Sequence, residues 1–256
     1  DFEWDLSIVD LEEGDNCSLA KVLAIGENYL PPTYGEYWFT YTMPSDGRFV
    51  AQTPGLAGFD IISGDCPANL YGHINAYDNI SAAFSEGENI FLRFRVEKGG
   101  DFTWSFNVLD LEEGNTCEIA KEVMEGTYEN PQETTYEYWY TYTKTTEGKV
   151  VIETNPYRSV SAYSNTCENL SYIKGGWGQI LLTNVAIDEQ IFVKVYPQFD
   201  EVVDLTLSVE PLEPGDGCNS TVLAVEGANT LPSTQYREYW YEFVMPGEGK
   251  LQVSSE

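Results

Sequence analysis

The sequence has 256 residues, of which 42 are Asp or Glu and 13 are Lys or Arg, and its formal net charge is -29. We expect no nucleic-acid binding, because that requires clustered basic side chains that neutralise phosphates. We also expect no membrane insertion, because this segment has no run of about 18 apolar residues. The composition is 42% hydrophobic and 14% aromatic, which is enough to bury a core. A folded, acidic protein is therefore predicted.

The first predicted element is a strand in residues 1–9. Phe2, Trp4 and Leu6 alternate there with polar side chains, which is the two-residue period of a half-buried strand. The only stretches that could form a short helix are residues 17–24 and 117–124. The rest of the chain is predicted as short strands separated by Gly, Pro, Asn or Asp turns.

A unit of about 100 residues recurs along the chain. Its first marker reads LEEGDNC, LEEGNTC and LEPGDGC in successive copies, and the cysteines of this marker, Cys17, Cys117 and Cys218, are spaced by 100 and 101 residues. Its second marker, EYWFTYT, EYWYTYT and EYWYEFV, repeats at a spacing of 101 residues. A tandem array of similar domains is predicted.

The turns indicate where each repeat ends. Residues 91–96 and 102–109 are alternating runs separated by Glu97-Lys98-Gly99-Gly100, which predicts a hairpin whose second strand closes the first repeat. The predicted divisions are a closing strand of a preceding repeat at 1–9, repeats at 10–110 and 111–210, and the first half of a further repeat at 211–256. Seven or eight short strands per repeat predict an all-β array of antiparallel β-sandwiches of the jelly-roll or immunoglobulin-like type.

The cysteines follow the repeat. Cys17 and Cys66 are 49 residues apart, and Cys117 and Cys167 are 50 apart, so we predict one disulfide in each repeat. The partner of Cys218 would lie near position 268, outside this segment. Disulfides require an oxidising compartment.

No catalytic chemistry is predicted. The sequence has a single histidine, His73, and no zinc, nucleotide-binding or nucleophile-elbow motif. We expect a protein that is not an enzyme and has no cofactor, with structural calcium as a weaker alternative.

Calcium is considered because acidic residues cluster at the start of the first two repeats, where hard oxygen ligands could rigidify a joint. The candidate ligands are Asp10, Glu12, Glu13, Asp15, Asp110, Glu112 and Glu113. In the third repeat Pro211 and Pro214 replace two of them, and no spacing resembles an EF-hand. A solvated acidic linker is the other interpretation.

The aromatic strand offers a candidate ligand surface. If Tyr37 and Phe39 face the core, the alternation of the strand turns the neighbouring tryptophan outward. The tryptophans at this position are Trp38, Trp139 and Trp240. They would either stack on a ligand such as a sugar ring or pack against loops of their own domain.

The ordered motifs resemble a known family. GDNC followed by SLA, then EYWFTYTMPSDGRF, FDIISGDC and ENIFLRFRV, resemble bacterial pre-peptidase C-terminal β-sandwiches. They are more closely similar to disulfide-bearing repeats of very large surface adhesins of Bacteroidota-like bacteria. The second repeat departs from the pattern by carrying Lys144-Thr145 in place of Met43-Pro44, and by lacking Asp60. The resemblance implies a secreted, non-enzymatic spacer or binder.

Together these features favour a structural and adhesive repeat segment of a long secreted protein of the bacterial cell surface. It would act as a stalk or filament that holds a binding region away from the cell. Two alternatives remain open: a carbohydrate-binding or accessory module of a secreted hydrolase, and a filament protomer that assembles by strand exchange. The expected partners are neighbouring repeats of the same chain, and surface glycans or other surface subunits.

Overall fold

The computed structural model describes residues 9–32, 35–53, 58–66, 69–76, 79–96, 101–130, 137–197, 202–231 and 238–254. The chain forms two compact units, which follow approximately the first repeat and the second repeat with the beginning of the third. Within the described residues, the helical elements are two single 3-10 turns, Cys17–Leu19 and Cys167–Asn169. The predicted all-β fold class is confirmed.

The described part of each of the first two repeats contains nine strands. In the first repeat these are β1 (Lys21–Val22), β2 (Gly26–Leu30), β3 (Gly35–Thr42), β4 (Gly47–Gln52), β5 (Gly58–Asp65), β6 (Asn69–Ala76), β7 (Asn79–Phe84), β8 (Asn89–Val96) and β9 (Phe102–Leu109). In the second they are β10 (Lys121–Val123), β11 (Gly126–Glu129), β12 (Tyr138–Thr143), β13 (Lys149–Asn155), β14 (Ser159–Ser164), β15 (Ser171–Trp177), β16 (Gln179–Leu182), β17 (Gln190–Tyr196) and β18 (Asp204–Glu210). The third repeat contributes β19 (Val222–Leu223) and β20 (Tyr241–Glu242).

The strand order defines each complete repeat as a jelly roll. The first repeat has one sheet in the order β1-β3-β8-β5-β6 and another in the order β2-β9-β4-β7. Every connection crosses between the sheets except the one that joins β5 to β6, and the second repeat has the same order in β10 to β18. This is the jelly-roll form of the predicted sandwich rather than the immunoglobulin-like form.

The core of the first repeat lies between its two sheets and is mainly aromatic. Phe39 on β3 packs against Trp104 on β9 with ring centroids 5.2 Å apart, and Phe49 stacks on Phe106 at 4.9 Å. These four side chains are each at most 2% exposed. Burial of one such side chain contributes roughly 1.5–3 kcal/mol, so the alternating aromatic side chains of β9 help to hold the two sheets together.

Two local predictions were wrong. Residues 17–24 form a single 3-10 turn followed by strand β1 rather than a longer helix, and residues 121–123 are likewise a strand. The predicted hairpin between β8 and β9 does not form, because β8 pairs with β3 and β5 whereas β9 pairs with β2 and β4 of the opposite sheet. The predicted closing strand of a preceding repeat falls almost wholly on residues outside the described ranges.

Candidate functional site

The two sequence markers of the repeat meet in space. In the first repeat, Gly14 of the LEEGDNC loop lies against the ring of Tyr37 so closely that a Cβ on Gly14 would be 2.3 Å from the ring. The carbonyl of Gly14 accepts a hydrogen bond from the backbone N–H of Trp38 at 2.8 Å. Gly14 has φ +92°, a conformation that glycine adopts without strain. The loop is thereby fixed to the start of the aromatic strand.

The same arrangement recurs in the other two copies. Gly114 accepts from the N–H of Trp139 at 2.7 Å, and Gly215 accepts from the N–H of Trp240 at 2.8 Å. The ring of a tyrosine covers each glycine in the same way, as Tyr138 and Tyr239 do. The partial third repeat therefore forms the same loop as the complete repeats.

The acidic residues of this loop form turns. The carboxylate of Asp15 accepts a hydrogen bond from the N–H of Glu12 at 2.7 Å, and the side chain of Asn115 accepts from the N–H of Glu112 at 2.9 Å. In both loops a side chain closes the turn onto the backbone N–H of the residue three positions earlier. The other calcium candidates, Asp10, Glu13, Asp110 and Glu113, are exposed. Over the described ranges, no three Asp, Glu, His or Cys side chains come together in a way that could hold a metal ion.

The acidic loop also alters the titration of the covering tyrosines. Burial of Tyr138, with a smaller contribution from the negative charges of Glu113 and Glu112, raises its pKa to about 12. Burial, followed by the charges of Glu13 and Asp15, also raises the pKa of Tyr37. Both tyrosines therefore stay neutral in the folded protein at any physiological pH.

The tryptophans of the aromatic strand differ in exposure. Trp38 and Trp139 are buried, with 7% and 6% of their surface exposed, whereas Trp240 is 44% exposed. Trp38 packs with Ile62 and Phe91 on the outer face of the five-stranded sheet. Of the two predicted roles, Trp38 and Trp139 have the surroundings of packing residues, because no ring face is left for a ligand.

The disulfide of the first repeat lies over this outer face. Cys17 is bonded to Cys66, with Cα atoms 5.8 Å apart, and both cysteines pack against the cluster that contains Trp38. Cys117 and Cys167 of the second repeat are also disulfide-bonded. Cys218 is exposed and forms no disulfide with another described residue. The bond of the first repeat therefore covers Trp38 as well as closing a loop.

A buried ion pair connects the second repeat to the loop of the third. Lys149 begins β13, and its Nζ lies 2.8 Å from a carboxylate oxygen of Asp216 in the third LEPGDGC loop. The exposed fractions of the two side chains are 2% and 8%. Glu210, at the end of β18, lies 3.7 Å from the same ammonium. A second pair, Lys174 with Glu238 at 2.8 Å, is more exposed.

The first repeat has a different buried ionic cluster. Asp60 on β5 is fully buried, and its two carboxylate oxygens accept hydrogen bonds from Arg93 at 2.7 and 2.9 Å and from Arg95 at 2.5 Å. The guanidinium of Arg93 lies 5.5 Å from the ring centre of Trp38. The carboxylate is therefore compensated by two cations, one of which also covers the buried tryptophan.

An exposed aromatic groove in the second repeat was missed by the sequence analysis. It has a volume of about 450 Å³ and is lined in part by Tyr157, Trp177 and Gln179. Trp177 ends β15 in the segment KGGWG, which has no counterpart in the first repeat. A tryptophan between glycines at the end of a predicted strand is the signal that could have identified the groove.

Comparison with known proteins gives one family. A family model described as galactose binding domain-like, of the T9SS-associated type, matches residues 217–256. The match lies in the third repeat and covers less than half of the chain. Domains of this type are typically non-catalytic, and their T9SS association indicates a secreted or cell-surface module of bacteria. The resemblance to pre-peptidase C-terminal domains is not confirmed.

Other comparisons add little. No curated protein matches the sequence. Among solved structures, the CUB1-EGF-CUB2 domains of rat MASP-1 match with 9% identity over 73% of this chain and 99% of that chain, at a TM-score of 0.24, and from a score this low we infer nothing. In the described part of the chain, no helix is sufficiently long and apolar to cross a bilayer.

Proposed function

We propose that this chain is a non-enzymatic, structural and adhesive repeat segment of a secreted protein of the bacterial cell surface. Its jelly-roll modules would be joined into a stiff array that holds a binding region away from the cell. The family match in the third repeat supports the surface location. The same glycine, tyrosine and tryptophan contacts in all three copies support extending that match to the whole chain.

The observation that carries the proposal is the buried pair of Lys149 and Asp216. The ammonium and the carboxylate are 2.8 Å apart and almost inaccessible to water. If the loop of the third repeat moved away, the buried ammonium of Lys149 would lose its nearest carboxylate. Breaking a buried pair typically costs about 3–5 kcal/mol, and Glu210, 3.7 Å from the same ammonium, would reduce that cost. Only a few residues separate Glu210, the last residue of β18, from Asp216, so the junction has no flexible linker.

The sequence also places a basic residue at the position equivalent to Lys149 in the first and third repeats. Arg48 and Lys250 follow the same acidic-Gly turn as Lys149. Arg48 is 5% exposed, and Asn115, the equivalent of Asp216, is 3% exposed. The first and second repeats therefore each bury a cation directly after this turn. The net charge of -29 would add repulsion between modules and keep the array soluble, while the fixed junctions keep it extended.

A double-mutant cycle tests this junction. Lys149→Met keeps an unbranched side chain, one heavy atom shorter, and removes its charge. Asp216→Asn retains the turn, because Asn115 closes the same turn in the second repeat. We expect a coupling free energy of unfolding of about 1–3 kcal/mol for the pair, measured by urea denaturation.

The matched control is the exposed pair that joins the same two repeats. The variants Lys174→Met and Glu238→Gln should give a coupling below about 0.5 kcal/mol, as is typical of exposed ion pairs. If the buried pair coupled no more strongly than this exposed pair, the proposed fixed junction would be wrong.

A further inference from the structure

We propose that the aromatic groove of the second repeat is a binding site for a neutral sugar ring. The aromatic groove is the cavity of about 450 Å³ lined by Tyr157, Lys174, Trp177, Gln179, Asp216 and Glu238. This inference goes beyond the proposed structural function, which requires no ligand at this surface. It also differs from the earlier expectation, which placed ligand stacking on the tryptophans of the aromatic strand.

Two exposed aromatic rings form one wall of the groove. Trp177 is 57% exposed and Tyr157 is 53% exposed. Their ring centroids are 6.4 Å apart and their planes are inclined by 19°, so the two faces are nearly parallel. Large rings that stay this exposed contribute little to folding. Adjacent exposed faces of this kind match the apolar C–H face of a pyranose ring, which covers an area similar to that of one aromatic side chain.

The rings are held in place by the backbone beneath them. Gly178 has φ +71°, and a Cβ at that position would lie 2.1 Å from the ring of Tyr157. The absence of a side chain at Gly178 therefore lets Tyr157 lie directly on the turn between β15 and β16. The backbone N–H of Gly178 donates to the carbonyl of Arg158 at 2.8 Å, which ties this turn to the segment that carries Tyr157. The platform is thus formed before a ligand binds, which lowers the entropic cost of binding.

Polar groups lie beside the rings. The ammonium of Lys174 and the carboxylate of Glu238 are 2.8 Å apart at the edge of the groove, and both side chains are partly exposed. The side-chain amide of Gln179 donates to Glu153 at 2.6 Å. Together these groups supply donors and acceptors for sugar hydroxyl groups beside the rings. An aromatic wall with a few fixed polar groups is the usual composition of a small-molecule site.

The charges of the residues that line the groove favour neutral sugars over anionic ones. Two carboxylates, those of Asp216 and Glu238, line the groove together with one ammonium, that of Lys174. The chain as a whole carries a net charge of -29. Sugars that bear carboxylate or sulfate groups would be repelled, because a like charge close to the site disfavours binding. The expected ligand is therefore a neutral hexose at the end of a glycan or within it.

Titration of the full chain with neutral disaccharides tests the site. The probes are lactose, cellobiose and mannobiose, with a glucuronic-acid-containing disaccharide as the anionic comparison, and binding is followed by calorimetry and by ligand-observed NMR. We expect saturable binding of at least one neutral probe. Trp177→Ala and Tyr157→Ala should each weaken it by about tenfold, which corresponds to the loss of one stacking contact.

Tyr172→Ala is the matched control. Tyr172 lies on the same strand β15 and is 62% exposed, but it packs against Tyr163 and is not one of the residues that line the groove. This variant should bind as the unchanged protein does, and the circular dichroism of all three variants should be unaltered. No saturable binding of any neutral probe, equal binding by the Trp177→Ala variant, or tighter binding of the anionic probe would each overturn the proposal. None of these outcomes changes the coupling between Lys149 and Asp216, so the two proposals can fail separately.

Discussion

The first and second repeats share a strand order but differ on the outer face of the five-stranded sheet. In the first repeat this face holds the buried Asp60 between Arg93 and Arg95. In the second repeat the equivalent position is Ser161, and Lys194 lies 5.8 Å from the ring centre of Tyr163 instead. The loop contacts, the strand order and the disulfides are retained while this face changes. The framework therefore determines the fold, and the outer face is where repeats can acquire different functions.

The cores of the two repeats use different side chains at equivalent positions of the same fold. The first repeat fills the space between its sheets with Trp104 and Phe106, whereas the second uses Leu205 and Leu207 at the equivalent positions. All four side chains are at most 2% exposed. A core tolerates such exchanges when its total volume and its pattern are preserved. The comparison predicts that changes in the shared framework destabilise the two repeats equally. Changes on the outer face should destabilise them unequally.

Removal of the disulfides should have the largest effect, and a similar one in both repeats. Each bond closes a loop of about 50 residues, so Cys17→Ala with Cys66→Ala, or Cys117→Ala with Cys167→Ala, should cost about 4 kcal/mol in the chain-entropy account. Hydrogen exchange measured by mass spectrometry resolves peptides from each repeat. A loss below about 1 kcal/mol in either repeat would contradict the shared framework.

Changes on the outer face should distinguish the repeats. Asp60→Ala leaves the guanidinium groups of Arg93 and Arg95 facing each other, and we expect a loss of about 3 kcal/mol. This value is at the low end for a broken buried pair because both arginines are partly exposed. Ser161→Ala in the second repeat should change stability by less than about 0.5 kcal/mol. Equal losses, measured by urea denaturation, would show that the two faces do not differ as described.

High pH should destabilise the second repeat through Tyr138. Its pKa is raised to about 12 in the folded state by burial and by neighbouring carboxylates, whereas an unfolded tyrosine titrates near 10. The stability contributed by the neutral ring is fully present below pH 10 and is lost as the pH rises through about 12. The loss approaches about 2–3 kcal/mol. The difference in unfolding free energy between the unchanged protein and Tyr138→Phe should show this decline, and parallel curves would contradict it.

Comparison of two glycine substitutions should distinguish the cost of a steric clash with Tyr37 from the cost of backbone strain. Gly14 and Gly26 both have positive φ, +92° and +102°, but only at Gly14 would a Cβ meet a ring, that of Tyr37. Gly14→Ala should therefore cost about 2 kcal/mol more than Gly26→Ala. Thermal unfolding of the two variants measures the difference. Equal losses would mean that Tyr37 moves aside without cost and does not fix the loop.

Much of the framework could be predicted from the sequence. The alternation in residues 102–109 predicts strand β9, and the recurring cysteines predict the disulfides. The crossing of β8 to β9 between sheets was not predictable, because alternation shows which residues are buried but not which strand they pair with. The sequence left two roles open for Trp38, ligand stacking and packing against its own domain, for a related reason. Strand β3 is covered on both faces, by the core on one side and by the disulfide loop on the other.

The candidate site was the least predictable feature. The acidic residues at the start of each repeat suggest a metal site in the sequence, but side chains such as Asp15 turn back onto their own backbone. The aromatic groove requires Tyr157 and Trp177 to come together from positions 20 residues apart, across the hairpin of β14 and β15. It also requires Glu238 from the third repeat. No local pattern contains that information.

Small-angle X-ray scattering of the full chain, at low and at physiological ionic strength, tests the stiff array most directly. We predict an extended particle whose cross-section is that of a single β-sandwich and whose length is almost unchanged when salt screens the negative charges. The Lys149→Met variant should show greater flexibility under both conditions. A compact particle with no rod-like dimension would contradict the account and would favour an accessory module of a secreted enzyme.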